Sequence, residues 1–188
     1  MSGRAPGAVI DPAAVGRRRF AVVAARFNES ISEKLLDGAL GAFAAHGLPR
    51  KAVEVHWVPG SFELPQAALA LARTGRYAGI VCVGAVIKGE TPHFDYVAGA
   101  AAQGIGRAAL DSGVPMSFGV ITALTFEQAW ARAGGAVGNR GEEAARATLQ
   151  MCGWLSSLGG RRRTRPAGSA ARRAGSTRRS RGARTVAR

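Results

Sequence analysis

The sequence predicts an α/β fold of three layers, in which helices cover both faces of a four-stranded parallel sheet. Four short β-branched segments are almost continuously apolar, which is typical of strands buried on both faces. Longer segments with helical spacing of apolar residues separate them, giving the order β-α-β-α-β-α-β-α-α of a doubly wound sheet. The predicted strands are "FAVVAA" (20–25), "VEVHWV" (53–58), "GIVCVGAVI" (79–87) and "PMSFGVIT" (115–122).

Capping residues predict where the helices between these strands begin. Ser30 and Glu33 have the spacing of a capping box, so the first helix is expected over about 30–46. Thr125, with Gln128 three residues later, opens the fourth helix in the same way. The remaining helices are predicted after "VPGSFELP", over about 94–112 and over about 140–156.

Composition excludes several classes of protein. A chain of 188 residues, 47% of them hydrophobic, can bury one core of ordinary size. It has no run of 18 apolar residues, and the six-residue run before Arg26 is too short for a signal peptide. Cys82 and Cys152 form neither a disulfide framework nor a metal-binding spacing. We therefore expect reduced thiols, a cytoplasmic location and no membrane contact.

The positive charge of the chain is concentrated at one end. Residues 161–188 hold 11 arginines and no acid, and without them 15 basic residues face 12 acidic ones, so the net charge of +14 falls to +3. We expect a loose N-terminal arm (1–16), a folded domain (17–158) and a disordered Arg-rich tail (159–188). The tail is either an arm that binds nucleic acid or another polyanion, or a solvated extension. No aromatic residue interleaves its arginines to stack on bases, which favours the extension.

Unusual residues gather where the predicted strands end. In a doubly wound sheet, ligands bind outside the carboxyl ends of the strands. The first strand is followed by Phe27 and Asn28, the second by Ser61, and the third by Lys88 and Thr91 in "IKGETPH". Backbone N–H groups at the helix starts there favour an anionic ligand, although neither G-x-x-x-x-G-K-[ST] nor G-x-G-x-x-G is present.

Composition and spacing alone leave structural alternatives open for the side chains at this edge. His93 could be a surface residue at a helix start, and Phe27 could plug the end of the sheet. Arg132 and Arg140 could be solvated helix charges, while His46 and His56 are interpreted as structural. This reasoning reaches an α/β domain with an anion site and stops there.

Five segments occur in order over about 20–155: "RFNESISEKLLDGA", "VPGSFELP", "GAVIKGETPHFDYV", "FGVIT" and "GNRGEEAARATLQM". Together they closely resemble the 6,7-dimethyl-8-ribityllumazine synthase family of riboflavin biosynthesis. The resemblance implies a four-stranded flavodoxin-like sheet and a transferase that needs neither metal nor cofactor. It also implies the condensation of 5-amino-6-ribitylamino-uracil with 3,4-dihydroxy-2-butanone 4-phosphate, the penultimate step of the pathway, which releases phosphate and water.

The resemblance also implies a role for each matching residue. His93 matches the proton-transfer histidine, a task suited to an imidazole because both of its forms are accessible near neutrality. Phe27 matches the aromatic residue that stacks on the pyrimidine, beside Asn28, and Glu90 and Thr91 occupy the phosphate-binding turn. Two further segments match residues that contact the ribityl chain and the ring edge: Ser61, Phe62 and Glu63 in one, and Val86, Ile87 and Lys88 in the other.

Phe118, Arg132 and Arg140 match residues that the family presents from a neighbouring subunit, with Arg132 clamping the substrate phosphate. Family members form homo-oligomeric pentamers, and some form capsids of sixty subunits. The loop before the last helix has no evident insertion, which permits a capsid without requiring one.

Three features depart from the family pattern. Arg140 stands where a Lys is usual, "GGAVGNRG" lacks the usual basic residue two positions before the Gly-Asn pair, and the Arg-rich tail is not a family feature. Two hypotheses therefore remain, an enzyme acting on small-molecule substrates, and a shell or polyanion-binding protein whose tail carries the function.

Overall fold

A computed structural model of the protein describes residues 18–160. The predicted N-terminal arm and all but the first two residues of the predicted tail lie outside this range. The strands are β1 (Arg19–Ala25), β2 (Val53–Val58), β3 (Tyr77–Ile87), β4 (Met116–Ala123), β5 (Ala133–Gly135) and β6 (Gly138–Asn139). The helices are α1 (Glu29–Ala45), α2 (Leu64–Arg73), α3 (His93–Ser112), α4 (Phe126–Ala131) and α5 (Arg140–Gly160), and a 3-10 turn covers Arg50–Ala52.

The main sheet is parallel throughout, with the strand order β2-β1-β3-β4. This confirms the predicted three-layer α/β fold with a four-stranded flavodoxin-like sheet. The prediction that every strand is buried on both faces holds for the central strands β1 and β3. It is wrong for β2 and β4, where half-buried or exposed residues occur because each strand has a single neighbour within the described chain.

Alternation along the central strands builds two cores, one on each face of the sheet. Phe20 and Val22 of β1 face α1 and α5, and the ring of Phe20 lies 5.0 Å from that of Phe43 in α1. Ala21 and Val23 face α2 and α3 on the other side. Helices on both faces leave only the edges of the sheet for a ligand, as in other doubly wound folds.

Glycines let α5 lie directly against the sheet. A Cβ built on Gly79 of β3 would come within 2.5 Å of Thr148 in α5, and one on Gly119 of β4 within 3.1 Å of Ala144. Further along the helix, the thiol of Cys152 donates to the carbonyl of Ala78, at 3.2 Å. The helix therefore passes from the middle of β4 to the amino end of β3, antiparallel to the strands.

Of the two helix starts predicted from capping residues, the one at Ser30 is wrong. Helix α1 begins at Glu29, so Ser30 lies inside the helix and no Ser30–Glu33 capping box forms. The residue before the helix is Asn28, whose backbone is left-handed, with φ of 61°. The other start is confirmed, because the hydroxyl of Thr125 accepts the N–H of Gln128 at 3.3 Å.

The β5–β6 ribbon was not predicted. Its two strands are antiparallel and join α4 to α5, and the N–H of Arg140 donates to the carbonyl of Arg132 at 2.9 Å. Asn139 anchors the ribbon, since its amide donates to the carbonyl of Lys34 in α1 at 2.8 Å. Its side-chain oxygen accepts the N–H of Gly141 and so caps α5.

A cluster of charged and polar side chains lies at the amino end of the sheet. Tyr77 donates to the carboxylate of Glu54, and Arg19 and Arg76 form ion pairs with the same group. The hydrogen bond from Tyr77, followed by that from Arg19, lowers the pKa of Glu54, while burial raises the pKa of Tyr77. The Nε2 atom of His56 lies 3.6 Å from Glu54, so this histidine belongs to a structural network.

Candidate active site

A pocket of about 450 Å³ opens at the carboxyl edge of the sheet, where the sequence places its unusual residues. Its wall is formed by the segments that follow β1 and β2, the last residues of β3, and the turn leading into α3. Eight of the fourteen predicted site residues line it: Phe27, Ser61, Phe62, Glu63, Val86, Ile87, Thr91 and His93.

The backbone of β1 carries Phe27 to the mouth of the pocket. The N–H of Arg26 donates to the carbonyl of Val58 at 2.8 Å, and the N–H of Phe27 donates to that of Pro59 at 3.0 Å. These bonds continue the β1–β2 pairing beyond the ends of both strands. The ring of Phe27 is 72% exposed, so one of its faces is available for a flat ligand.

Ser61 places an unpartnered hydroxyl in the pocket wall. The residue is only 4% exposed, and its Oγ has no hydrogen-bond partner among the described residues. It packs against β3, where a Cβ on Gly84 would lie 2.9 Å from this oxygen, so the close approach requires glycine. A buried hydroxyl without a partner is costly, so the described chain leaves one polar group unsatisfied next to the pocket.

The start of α3 supplies the polar end of the pocket. The N–H of His93 faces the hydroxyl of Thr91 at 3.4 Å, and Pro92 precedes the helix without a side-chain cap. The first-turn N–H groups of an uncapped helix favour an anion. Lys88 and Glu90 lie in the same turn, exposed and outside the pocket wall.

Four predicted residues outside the wall belong to other parts of the chain. Asn28 points its amide at β3, whereas Phe118 is an exposed residue of β4 that pairs in register with Cys82. Arg132 donates to the carbonyl of Gln128, and Arg140 forms an ion pair with Glu143. Within one subunit, therefore, the structure does not bring Phe118, Arg132 and Arg140 to the pocket.

The wall also contains six residues that were not among the predicted site residues: Pro59, Gly60, Ala85, Gly89, Phe94 and Val97. Phe94 and Val97 pack against the core on this face of the sheet. Because they lie in the first turns of α3, they also reach the pocket. Their position in the first turns after His93 was the signal in the sequence that could have placed them at the pocket.

Other chemistry has little support among residues 18–160. No three His, Cys, Asp or Glu side chains there are grouped as metal ligands. Burial raises the pKa of the Cys82 thiol to about 12 and that of Cys152 to about 11, so neither is an activated nucleophile. No helix in this range is long and apolar enough to span a bilayer.

The fold and the pocket together define a doubly wound α/β protein that binds its ligand at the carboxyl edge of a parallel sheet. Residues 17–156 match the family model described as 6,7-dimethyl-8-ribityllumazine synthase. The chain belongs to this lumazine synthase family, which places it among the transferase-type enzymes of riboflavin biosynthesis.

Proposed function

We propose that the protein condenses 5-amino-6-ribitylamino-uracil with 3,4-dihydroxy-2-butanone 4-phosphate to form 6,7-dimethyl-8-ribityllumazine, releasing phosphate and water. The observation that carries the proposal is the pocket, which joins an exposed aromatic face, a buried free hydroxyl and an uncapped helix start. These three features suit the pyrimidine ring, the ribityl chain and the phosphate, respectively. Family membership supports the same reaction.

The proposed roles follow from where each side chain lies. Phe27 stacks on the pyrimidine, and Ser61 bonds a ribityl hydroxyl. The N–H groups near Thr91 receive the phosphate, and His93, at the first position of α3, moves protons between the amine, the ketone and water. The protein then mainly holds an amine against a carbonyl, and such orientation is worth up to ~7–11 kcal/mol.

We further propose a cytoplasmic homo-oligomer in which each pocket is completed by the neighbouring subunit. Within one chain, Phe118, Arg132 and Arg140 lie away from the pocket that the chain itself forms. The β5–β6 ribbon and the backbone bond from the N–H of Arg140 to the carbonyl of Arg132 place these two residues side by side, so one element carries both of them.

Turnover of the purified protein with both substrates, followed by lumazine absorbance, tests the reaction. His93→Ala should lower kcat by up to ~10²–10⁴-fold with a smaller effect on KM, because the imidazole is proposed to act in proton transfer. His46→Ala is the matched control, since His46 follows the end of α1 at the opposite edge of the sheet and its ring lies 2.8 Å from the carbonyl of Ala42. A wild-type protein that forms no lumazine would overturn the proposal, and equal turnover by His93→Ala would remove His93 from the mechanism.

A further inference from the structure

The junction between β1 and α1 contains an unusual backbone conformation. Asn28, with φ of 61° and ψ of 46°, is the only non-glycine residue with positive φ among residues 18–160. Asn tolerates this left-handed conformation better than most residues, but it is still less favourable than the right-handed one. Asn28 also precedes a helix, where an Asn side chain commonly caps the first turn, yet its side chain makes no capping bond.

The side-chain amide of Asn28 is used elsewhere. Its Nδ2 donates to the carbonyl of Ala85, near the end of β3, at 3.0 Å and in half-buried surroundings. Its own carbonyl accepts the N–H groups of Ile31 and Ser32 at the start of α1. One residue therefore ties the end of β1, the start of α1 and a strand from 57 residues further along the chain.

These bonds flank Phe27 on both sides. The N–H groups of Arg26 and Phe27 are tied to the segment after β2, and Asn28 is tied to β3. The ring itself is 72% exposed, so packing does little to fix its direction. The backbone conformation at 26–28 must therefore set where the ring stands relative to the pocket.

We infer that Asn28 is a positioning residue, which holds Phe27 at the mouth of the pocket through its left-handed backbone and its bond to Ala85. This replaces the expectation that Asn28 contacts the substrate, since its amide is engaged by the protein and the residue does not line the pocket. The functional part of the inference rests on the proposed reaction. It assigns recognition of the pyrimidine to Phe27, with Asn28 acting through it.

Two substitutions remove the hydrogen bond to Ala85 while keeping a residue that tolerates the left-handed backbone. Asn28→Gly keeps the left-handed conformation without steric cost but removes the amide. Asn28→Asp keeps the size of the side chain but places an acceptor against the carbonyl of Ala85. Gly113→Ala is the matched control, because it strains a left-handed position, with φ of 68°, at the far end of α3.

Loss of one hydrogen bond should raise KM for the pyrimidine about five-fold in Asn28→Gly, with a smaller change in kcat. Asn28→Asp should raise it further, and Gly113→Ala should leave it unchanged. Because Phe27→Ala is expected to be inactive, the double-mutant cycle is measured as the Kd of the pyrimidine substrate by calorimetry, and Asn28→Gly should weaken binding no further once Phe27→Ala is present, because the first acts through the second. Independent, additive effects would show that Asn28 contacts the substrate directly and would overturn the inference.

Hydrogen exchange tests the positioning without any substrate. In the full-length protein, the amides of residues 26–32 should exchange faster in Asn28→Gly and Asn28→Asp than in the wild type, and Gly113→Ala should leave them unchanged. If these amides exchanged at the wild-type rate in both Asn28 variants, Asn28 would not be a positioning residue, even in an active enzyme. If the amides exchanged faster in the variants but the wild-type protein made no lumazine, the structural role of Asn28 would stand and the proposed reaction would be refuted.

Discussion

Gly141→Ala tests how closely α5 must approach α1. A Cβ at Gly141 would fall on the carbonyl oxygen of Leu35 and lie 2.6 Å from its carbonyl carbon. Ordinary contact begins at about 3.4 Å, which leaves a shortfall of about 0.8 Å at the carbonyl carbon and a larger one at the oxygen, so the two helices would have to separate locally by more than about 0.8 Å. Backbone atoms line both sides of this contact, and no side-chain rotation can relieve it.

The free energy of unfolding should fall by about 3–5 kcal/mol. Overpacking of this kind costs roughly 1–3 kcal/mol. The displacement also breaks the two bonds of Asn139, which joins Lys34 at 2.8 Å and caps α5, and each lost bond costs about 1 kcal/mol. For a domain of this size, such a loss corresponds to a fall in Tm of about 10–20 °C.

Thermal unfolding followed by circular dichroism, at one fixed protein concentration, measures the effect. Gly41→Ala is the control, since Gly41 is an exposed residue of the same helix α1 and a Cβ there meets nothing within 4 Å. It should raise Tm slightly, because alanine favours a helix over glycine by about 0.5–1 kcal/mol. If both variants kept the wild-type Tm, the close approach at Gly141 would not be a real constraint.

Three further predictions concern assembly, acid stability and the tail. Mixing inactive Phe27→Ala with inactive Arg132→Ala subunits should restore part of the activity, and mixtures that stay inactive after verified subunit exchange would contradict a shared site. The pKa of Glu54 is lowered in the folded protein, so its stabilising effect is complete above the usual pKa of 4.5 and is lost as the pH falls through the lower pKa of the folded state. Glu54→Gln should therefore flatten the dependence of Tm on pH below 4.5, and an unchanged dependence would refute this. Truncation after Leu158 should leave kcat and oligomer size unchanged while abolishing salt-sensitive retention on heparin, whereas loss of assembly or turnover would make the tail part of the enzyme.

The periodicity of the sequence was sufficient for the main sheet. The strand "VEVHWV" was predicted with its observed bounds, Val53–Val58, because turn residues bracket a β-branched run. Burial at the sheet edges was not predictable in the same way. Apolar character alone does not show which strands are central, so β2 and β4 were expected to be as buried as β1 and β3.

The remaining misses come from interactions between residues distant in sequence. Ser30 and Glu33 have ideal capping spacing, but the helix begins one residue earlier, at Glu29. The residue before it, Asn28, bonds to Ala85, which lies 57 residues further along the chain. The β5–β6 ribbon is short and glycine-rich and has no periodic signal of its own. The ends of the predicted strands already indicated Phe27, Ser61 and Thr91, whereas the roles of the pocket residues came from motif resemblance and stay predictions until the variants are measured.

The pocket and the two ends of the described chain lie at opposite edges of the sheet, separated by the length of a β-strand. The pocket opens where the strands end, while β1 starts at Arg19 on the opposite edge and α5 descends past Ala78 toward that same edge. Peptide added beyond either described end is therefore joined to the domain on the side away from the substrates. A change within the 11 arginines of residues 161–188 therefore alters the chain beyond an end that lies away from the residues that line the pocket.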